Sequence, residues 1–177
     1  MTSPADEQPP ALHERLEPLA FLLGTWRGTG VGGYPTIEGF RYEQELAFSH
    51  DGRPFLQYAA RSWIIDDDGN RLRPSASEVG WWRPGAGPRE VEVMLAQHTG
   101  IVEVYLGEAT FSKVELATDV VARTSTAKDV TGLRRLYGLV PAESGEGRDL
   151  AYAIDLAAVG QPLQAHLSAR LAKIERG

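Results

Sequence analysis

Four histidines, His13, His50, His98 and His166, are the side chains of this 177-residue chain best suited to hold a metal or move a proton near neutral pH. None shows metal-ligand spacing. There is no His-Glu-x-x-His, no His-x-His and no acidic cluster beside any of them, which argues against a zinc hydrolase. His50 precedes Asp51-Gly52 and reads as a solvated turn residue. His98, in Gln97-His98-Thr99-Gly100, belongs to a hairpin turn of the kind found at a barrel mouth. His166 differs, because Leu163-Gln164-Ala165-His166-Leu167-Ser168-Ala169-Arg170-Leu171 is the body of a regular element. On residue type alone, a lone histidine there reads as structural.

Other chemistries find little support. Asp66-Asp67-Asp68-Gly69-Asn70 lacks the alternating ligands and closing glutamate of a calcium loop and reads as a solvated hairpin turn. No Gly-x-Ser-x-Gly elbow occurs, and Ser75 and Ser77 follow Pro74 in what reads as a loop. Gly24-Thr25-Trp26-Arg27-Gly28-Thr29-Gly30 is glycine-rich, but a phosphate-binding loop requires a helix after it, and here Tyr34-Pro35-Thr36 and a strand follow. Alternation puts Gly24, Gly28 and Gly30 on the same face as Trp26, so one large ring among hydrogens is expected to lie across a barrel end.

The chain carries 18 Lys plus Arg against 24 Asp plus Glu, a net charge of -6, which disfavours nucleic acid and anionic membrane as partners. Zero cysteines exclude disulfides, thiolate metal sites, iron–sulfur clusters and thiol catalysis. No apolar run has the length of a membrane helix, and the start of the chain lacks the pattern of a secretory signal, so a cytoplasmic location is expected. No obligatory protein partner is evident.

The elements that must position these residues are mostly strands. Residues 1–10 read as a disordered tail ahead of a single domain, 11–177. Leu12, Leu16, Leu19 and Leu23 recur at helical spacing, although Pro18 limits regularity, so a short N-terminal helix or two turns is predicted. After Gly24 the period becomes two. Arg41, Glu43 and Glu45 alternate with Tyr42, Gln44, Leu46 and Phe48, and Leu150, Tyr152, Ile154 and Leu156 with Ala151, Ala153 and Asp155. With a turn signal every 8 to 15 residues or so, the pattern predicts about ten strands, near 24–31, 40–50, 53–65, 76–83, 89–98, 101–108, 111–121, 129–141, 148–158 and 163–172. An all-β, ten-stranded antiparallel up-and-down barrel follows, closed because closure removes exposed edges, and wide enough to hold a ligand.

The Gly24 to Gly30 segment, Tyr34-Pro35-Thr36-Ile37, Thr126-Ala127-Lys128-Asp129-Val130-Thr131 and Gly160-Gln161-Pro162-Leu163-Gln164-Ala165-His166-Leu167 together resemble the nitrobindin family, over about Leu16 to Arg170. These are ferric-haem proteins on a ten-stranded barrel related to the fatty-acid-binding proteins. The resemblance implies one ferric haem b per chain, with His166 as the sole protein ligand to iron and Thr36 and Lys128 as haem contacts. It implies nitric oxide binding and the isomerisation of peroxynitrite to nitrate, with small molecules rather than macromolecules as partners. The alternative reading is a non-haem carrier of a fatty acid or other hydrophobic molecule in the same barrel. Resemblance also breaks the tie at Leu163 to Leu171 in favour of a strand. On that strand Leu163, Ala165, Leu167, Ala169 and Leu171 are expected on one face, and Gln164, His166, Ser168 and Arg170 on the other.

Overall fold

The computed structural model describes residues 9–174, so the expectation of a disordered tail over 1–10 falls mainly outside the described residues. A 3-10 helix, Glu14–Leu22, precedes ten strands: β1 Gly24–Tyr34, β2 Ile37–Ser49, β3 Leu56–Ile65, β4 Arg71–Pro84, β5 Glu90–Gln97, β6 Ile101–Thr110, β7 Lys113–Arg123, β8 Val130–Pro141, β9 Arg148–Ala158 and β10 Gln164–Ile174. Each strand pairs antiparallel with its sequence neighbours. Pairing of β1 with β10 closes the barrel. The predicted architecture is the observed one, including the strand through His166.

Strand starts differ from expectation by about three residues at β2 and β3 and most at β4. β4 begins at Arg71 rather than near residue 76, and Ser75 lies within it, not in a loop. Pro74 sits where the β3–β4 register shifts, opposite Trp63, and a ladder irregularity is where a residue without an N–H is tolerated. The turn after β3 is held by Asp66, whose carboxylate accepts from the backbone of Asp68 and Asn70 and from the Asn70 amide. It is a hairpin turn, as expected.

Glycine on β1 permits closure. A Cβ on Gly28 would lie 2.1 Å from the Arg170 carbonyl oxygen, and one on Gly30 would meet both the Ser168 carbonyl and the Tyr42 ring. The bare face lets β10 approach and lets Tyr42 fold inward.

An up-and-down barrel gathers alternate turns at each end, and the two ends differ here. One is plugged by the 3-10 helix, whose Leu16, Leu19 and Leu22 are buried in the core. His13 caps that helix through a bond from the Arg15 amide to its Nδ1, a purely structural role. Trp26, 2% exposed, donates from Nε1 to the Leu22 carbonyl at 2.8 Å and so ties the helix to β1. The ring at the barrel end is therefore a plug. The β1–β2, β3–β4, β5–β6, β7–β8 and β9–β10 connections surround the opposite end, which is open.

Candidate functional site

From the open end a cavity of about 720 Å³ runs down into the barrel. That is within the ordinary range for a small-molecule or cofactor site. His166, Lys128 and Thr36 all line it, and so does His98, the predicted mouth residue. His13 and His50 do not: His50 accepts from the Gly52 amide in the β2–β3 turn.

His166 reaches the cavity by breaking the alternation. The β9–β10 register slips between Ala165, opposite Asp155, and Leu167, opposite Ile154, so His166 is the extra residue of a β-bulge. Ala165 is exposed, whereas His166 and Leu167 both face the cavity. The expected assignment of His166 to the face opposite Leu167 is thus corrected, and a bulge is a device that re-aims one side chain without disturbing the strand beyond it.

A second irregularity meets the first. β1 bulges between Gly32 and Tyr34, and Gly33 lies one residue beyond the last β1–β10 pair. Its carbonyl is 2.9 Å from His166 Nδ1. A carbonyl only accepts, so Nδ1 carries the proton and the neutral ring keeps its lone pair on Nε2. Nε2 has no hydrogen-bond partner among the described residues. The Tyr34 ring packs edge-on against His166, 5.6 Å between centroids at 78°. The Tyr34 hydroxyl accepts from the Ala158 amide at 2.9 Å and reaches the Leu156 carbonyl at 3.0 Å, which fixes that ring to β9. Burial lowers the His166 pKa, the Gly33 bond opposes it, and the charge of Lys128 lowers it further. The result is a half-buried imidazole held neutral with one nitrogen presented to the cavity.

The rim is built from two connections. The segment between β7 and β8 carries Thr126 and Lys128 and is fastened by bonds from the Val159 amide to the Asp129 carbonyl and from the Ala127 amide to the Thr124 carbonyl. Arg123 and Asp129 form an ion pair across it. In the β9–β10 turn Val159 has φ of 48°, left-handed for a β-branched residue, followed by Gly160 at 79°. Between rim and floor the wall is largely apolar, with Ile37, Phe40, Ile101, Leu133, Leu156 and Leu167.

A flat apolar cofactor with a metal at its centre and carboxylates on its edge fits this donor set. It needs an apolar slot, one neutral nitrogen ligand whose other nitrogen is fixed by an acceptor, and a cation at the solvent edge. His166 with Gly33, the apolar wall and exposed Lys128 provide these groups. Thr36, also exposed, adds a hydroxyl at the rim.

The floor was not foreseen. Arg135, 3% exposed, lies between Glu78 and Glu103, bonding Glu78 through both terminal nitrogens at 2.8 and 2.9 Å and Glu103 at 3.1 Å. Tyr58 donates to Glu78, and Tyr105 and Gln97 donate to Glu103, each at 2.6 Å. Arg135 also donates to the Tyr105 and Tyr137 hydroxyls. Burial resists ionisation of both acids. At Glu78 the charge and bonds of Arg135 win and the pKa falls, while at Glu103 burial wins and it rises. Beside them the Tyr42 and Tyr152 hydroxyls meet at 2.8 Å, and Tyr152 donates to Gln44. Burial pushes the Tyr42 hydroxyl up to about 12. A sequence signal existed: Ile101, Glu103 and Tyr105, and likewise Leu133, Arg135 and Tyr137, are charges in step with apolar residues on one strand face.

Comparison with known proteins agrees with this geometry. The chain is 54% identical over 167 residues to a peroxynitrite isomerase of Nocardioides sp., covering 94% of this chain and 98% of the relative. It is 42% identical to a ferric nitrobindin-like protein of Thermobifida fusca, covering 93% and 97%. Among solved structures it is similar to Rv2717c from M. tuberculosis, with a TM-score of 0.78, 38% identity and coverage of 93% and 100%. Residues 15–173 match the THAP4-like, heme-binding beta-barrel domain, and the chain belongs to that family.

Proposed function

We propose that this barrel holds one ferric haem b at its open end, with His166 as the only protein ligand to iron, and that it binds nitric oxide and isomerises peroxynitrite to nitrate. One observation carries the proposal: a half-buried, neutral imidazole at a cavity mouth, Nδ1 fixed by Gly33 and Nε2 presented without a partner. The names of the relatives support the activity. When bound, a ferric haem supplies a Lewis-acid centre with one coordination position left for a small ligand.

The chain's own residues do the remaining work. Gly33 fixes the imidazole tautomer and raises the basicity of Nε2. Tyr34, fastened to β9, restricts rotation of the His166 ring. Lys128 offers a point charge to a carboxylate at the cofactor edge, and Thr36 a hydroxyl. The apolar wall keeps water from the buried side. Small-molecule ligands and a cytoplasmic location go with this reading, the acidic balance supporting the first by disfavouring nucleic acid and anionic membrane. The fatty-acid carrier reading lacks an anchor inside the barrel, because Arg135, the buried cation of the floor, already spends its donors on protein acceptors.

Hemin titration followed by absorption spectroscopy tests the proposal. Wild type, His98→Ala and His50→Ala are expected to give the same Soret band, and His166→Ala to lose it while keeping the far-ultraviolet circular dichroism of the barrel. A wild-type spectrum in His166→Ala, or a wild type that stays colourless, overturns the assignment.

A further inference from the structure

The floor of the cavity has an unusual balance of hydrogen-bonding capacity and charge. A guanidinium has five N–H donors. Those of Arg135 are matched by five bonds, from Nε to Tyr105, from Nη1 to Glu78 and Tyr137, and from Nη2 to Glu78 and Glu103. None is left for a ligand. Two carboxylates face this one cation, so the floor carries an excess negative charge whenever both are ionised. The hydroxyl protons of Tyr58 and Tyr105 are committed to those carboxylates. An anion entering the inner barrel would therefore meet acceptors and like charge, in surroundings where screening is weak.

One donor is free. Gln44 is 8% exposed and lines the cavity, and its Oε1 accepts from Tyr152. Among the described residues its Nε2 has no partner. An amide N–H that faces the cavity without a protein acceptor favours an occupant that accepts a hydrogen bond there. Ser62, Tyr58 and Tyr137 complete the lining next to it.

We propose that the inner half of the barrel is a binding chamber for small uncharged molecules bearing a hydrogen-bond acceptor, recognised by the Gln44 amide, and that the Glu78–Arg135–Glu103 cluster excludes anions from it. As a property of the cavity, this stands apart from the haem. As a statement about the reaction it rests on the haem reading: a neutral nitrogen oxide is admitted to the depth of the barrel, whereas an anionic substrate or product is confined to the mouth beside Lys128.

Benzamide and benzoate form a matched pair of nearly equal shape, one neutral and one anionic at pH 7. Calorimetric titration of each into the purified full-length protein, with and without hemin, measures the discrimination, and a parallel absorption spectrum reports haem. Benzamide is expected to bind at least about ten-fold more tightly than benzoate to wild type. Gln44→Leu is expected to weaken benzamide several-fold while leaving benzoate and the Soret band unchanged. Glu103→Gln, which keeps an acceptor for Arg135 and Tyr105 but removes a charge, is expected to narrow the discrimination. Equal binding of the two probes to wild type, or unaltered benzamide binding in Gln44→Leu, overturns the chamber. Loss of the Soret band in wild type overturns the haem reading and leaves the chamber measurement intact.

Discussion

Replacing Arg135 by methionine keeps most of the side-chain volume and removes the cation between two buried acids. Glu78 suffers more, since it loses two bonds and keeps only the donor Tyr58, whereas Glu103 keeps Tyr105 and Gln97. An orphaned carboxylate can escape its burden by taking up a proton. At pH 7 this costs about 3.7 kcal/mol for a group with a reference pKa of about 4.3, at about 1.36 kcal/mol per pH unit, which caps the penalty at each acid. The expected loss is about 3–5 kcal/mol, the range for breaking one side of a buried ion pair, and roughly 6 to 20 °C in melting temperature for a domain of this length.

The sign of the pH dependence separates this account from simple loss of packing. In the wild type the Glu78 pKa is lowered, so its contribution is present above its unfolded value and lost as pH falls through the folded value. In Arg135→Met the folded value is raised instead, so the deficit relative to wild type should shrink by about 2 kcal/mol between pH 7 and 5.5, as protonation becomes easier. Urea melts of both proteins at the two pH values measure this. Arg135→Met/Glu78→Gln should recover about half of the loss at pH 7. A deficit below about 1 kcal/mol, or one that does not change with pH, would falsify the assignment of an ionised Glu78 held by Arg135.

Three further outcomes follow from the mouth. The folded state keeps His166 neutral to lower pH than a free histidine, so between its folded value and about 6.5 the unfolded chain binds more protons, and this group's contribution to stability rises with pH across that window. Because protons compete for Nε2, whose pKa is already lowered and which a bound metal would hold deprotonated further, the Soret band of loaded protein should hold through about 6.5 and fade only well below it, and Lys128→Met should move the midpoint upward; an unmoved midpoint removes Lys128 from the electrostatics of His166. At Val159 the left-handed backbone disfavours a β-branched side chain, so Val159→Asn should raise stability by about 1 kcal/mol, or about 2–4 °C. A lower melting temperature would show that packing of the valine at the mouth outweighs its backbone strain.

The barrel was legible because period-two alternation and frequent turn signals are local, and because closure is the general way to remove sheet edges. His166, Lys128 and Thr36 came from resemblance, and the cavity brings them together at one end, but alternation alone placed His166 on the wrong face. What reverses it is a single extra residue in the β9–β10 register, and a bulge depends on the partner strand, so neither strand alone announces it. The same limit applies to Gly33, whose carbonyl reaches the ring only because the β1 irregularity lies beside that of β10. Pro74 read as a loop for a related reason: a missing N–H is excluded from a regular ladder but tolerated where registers shift.

The floor was illegible in a different way. Glu78, Glu103 and Arg135 come from β4, β6 and β8, alternate strands that do not pair with one another, so no segment of sequence contains the cluster. Each looks like an ordinary surface charge until its inward position is known, and burying any one alone would be costly. Only the closed barrel brings the three inward faces together across its interior, where charge and hydrogen bonds compensate. The mouth therefore presents a neutral nitrogen and an exposed cation, while the floor presents acids around a saturated cation. That polarity along the barrel axis is set by residues 57 positions apart, Glu78 and Arg135, and only the closed fold makes them neighbours.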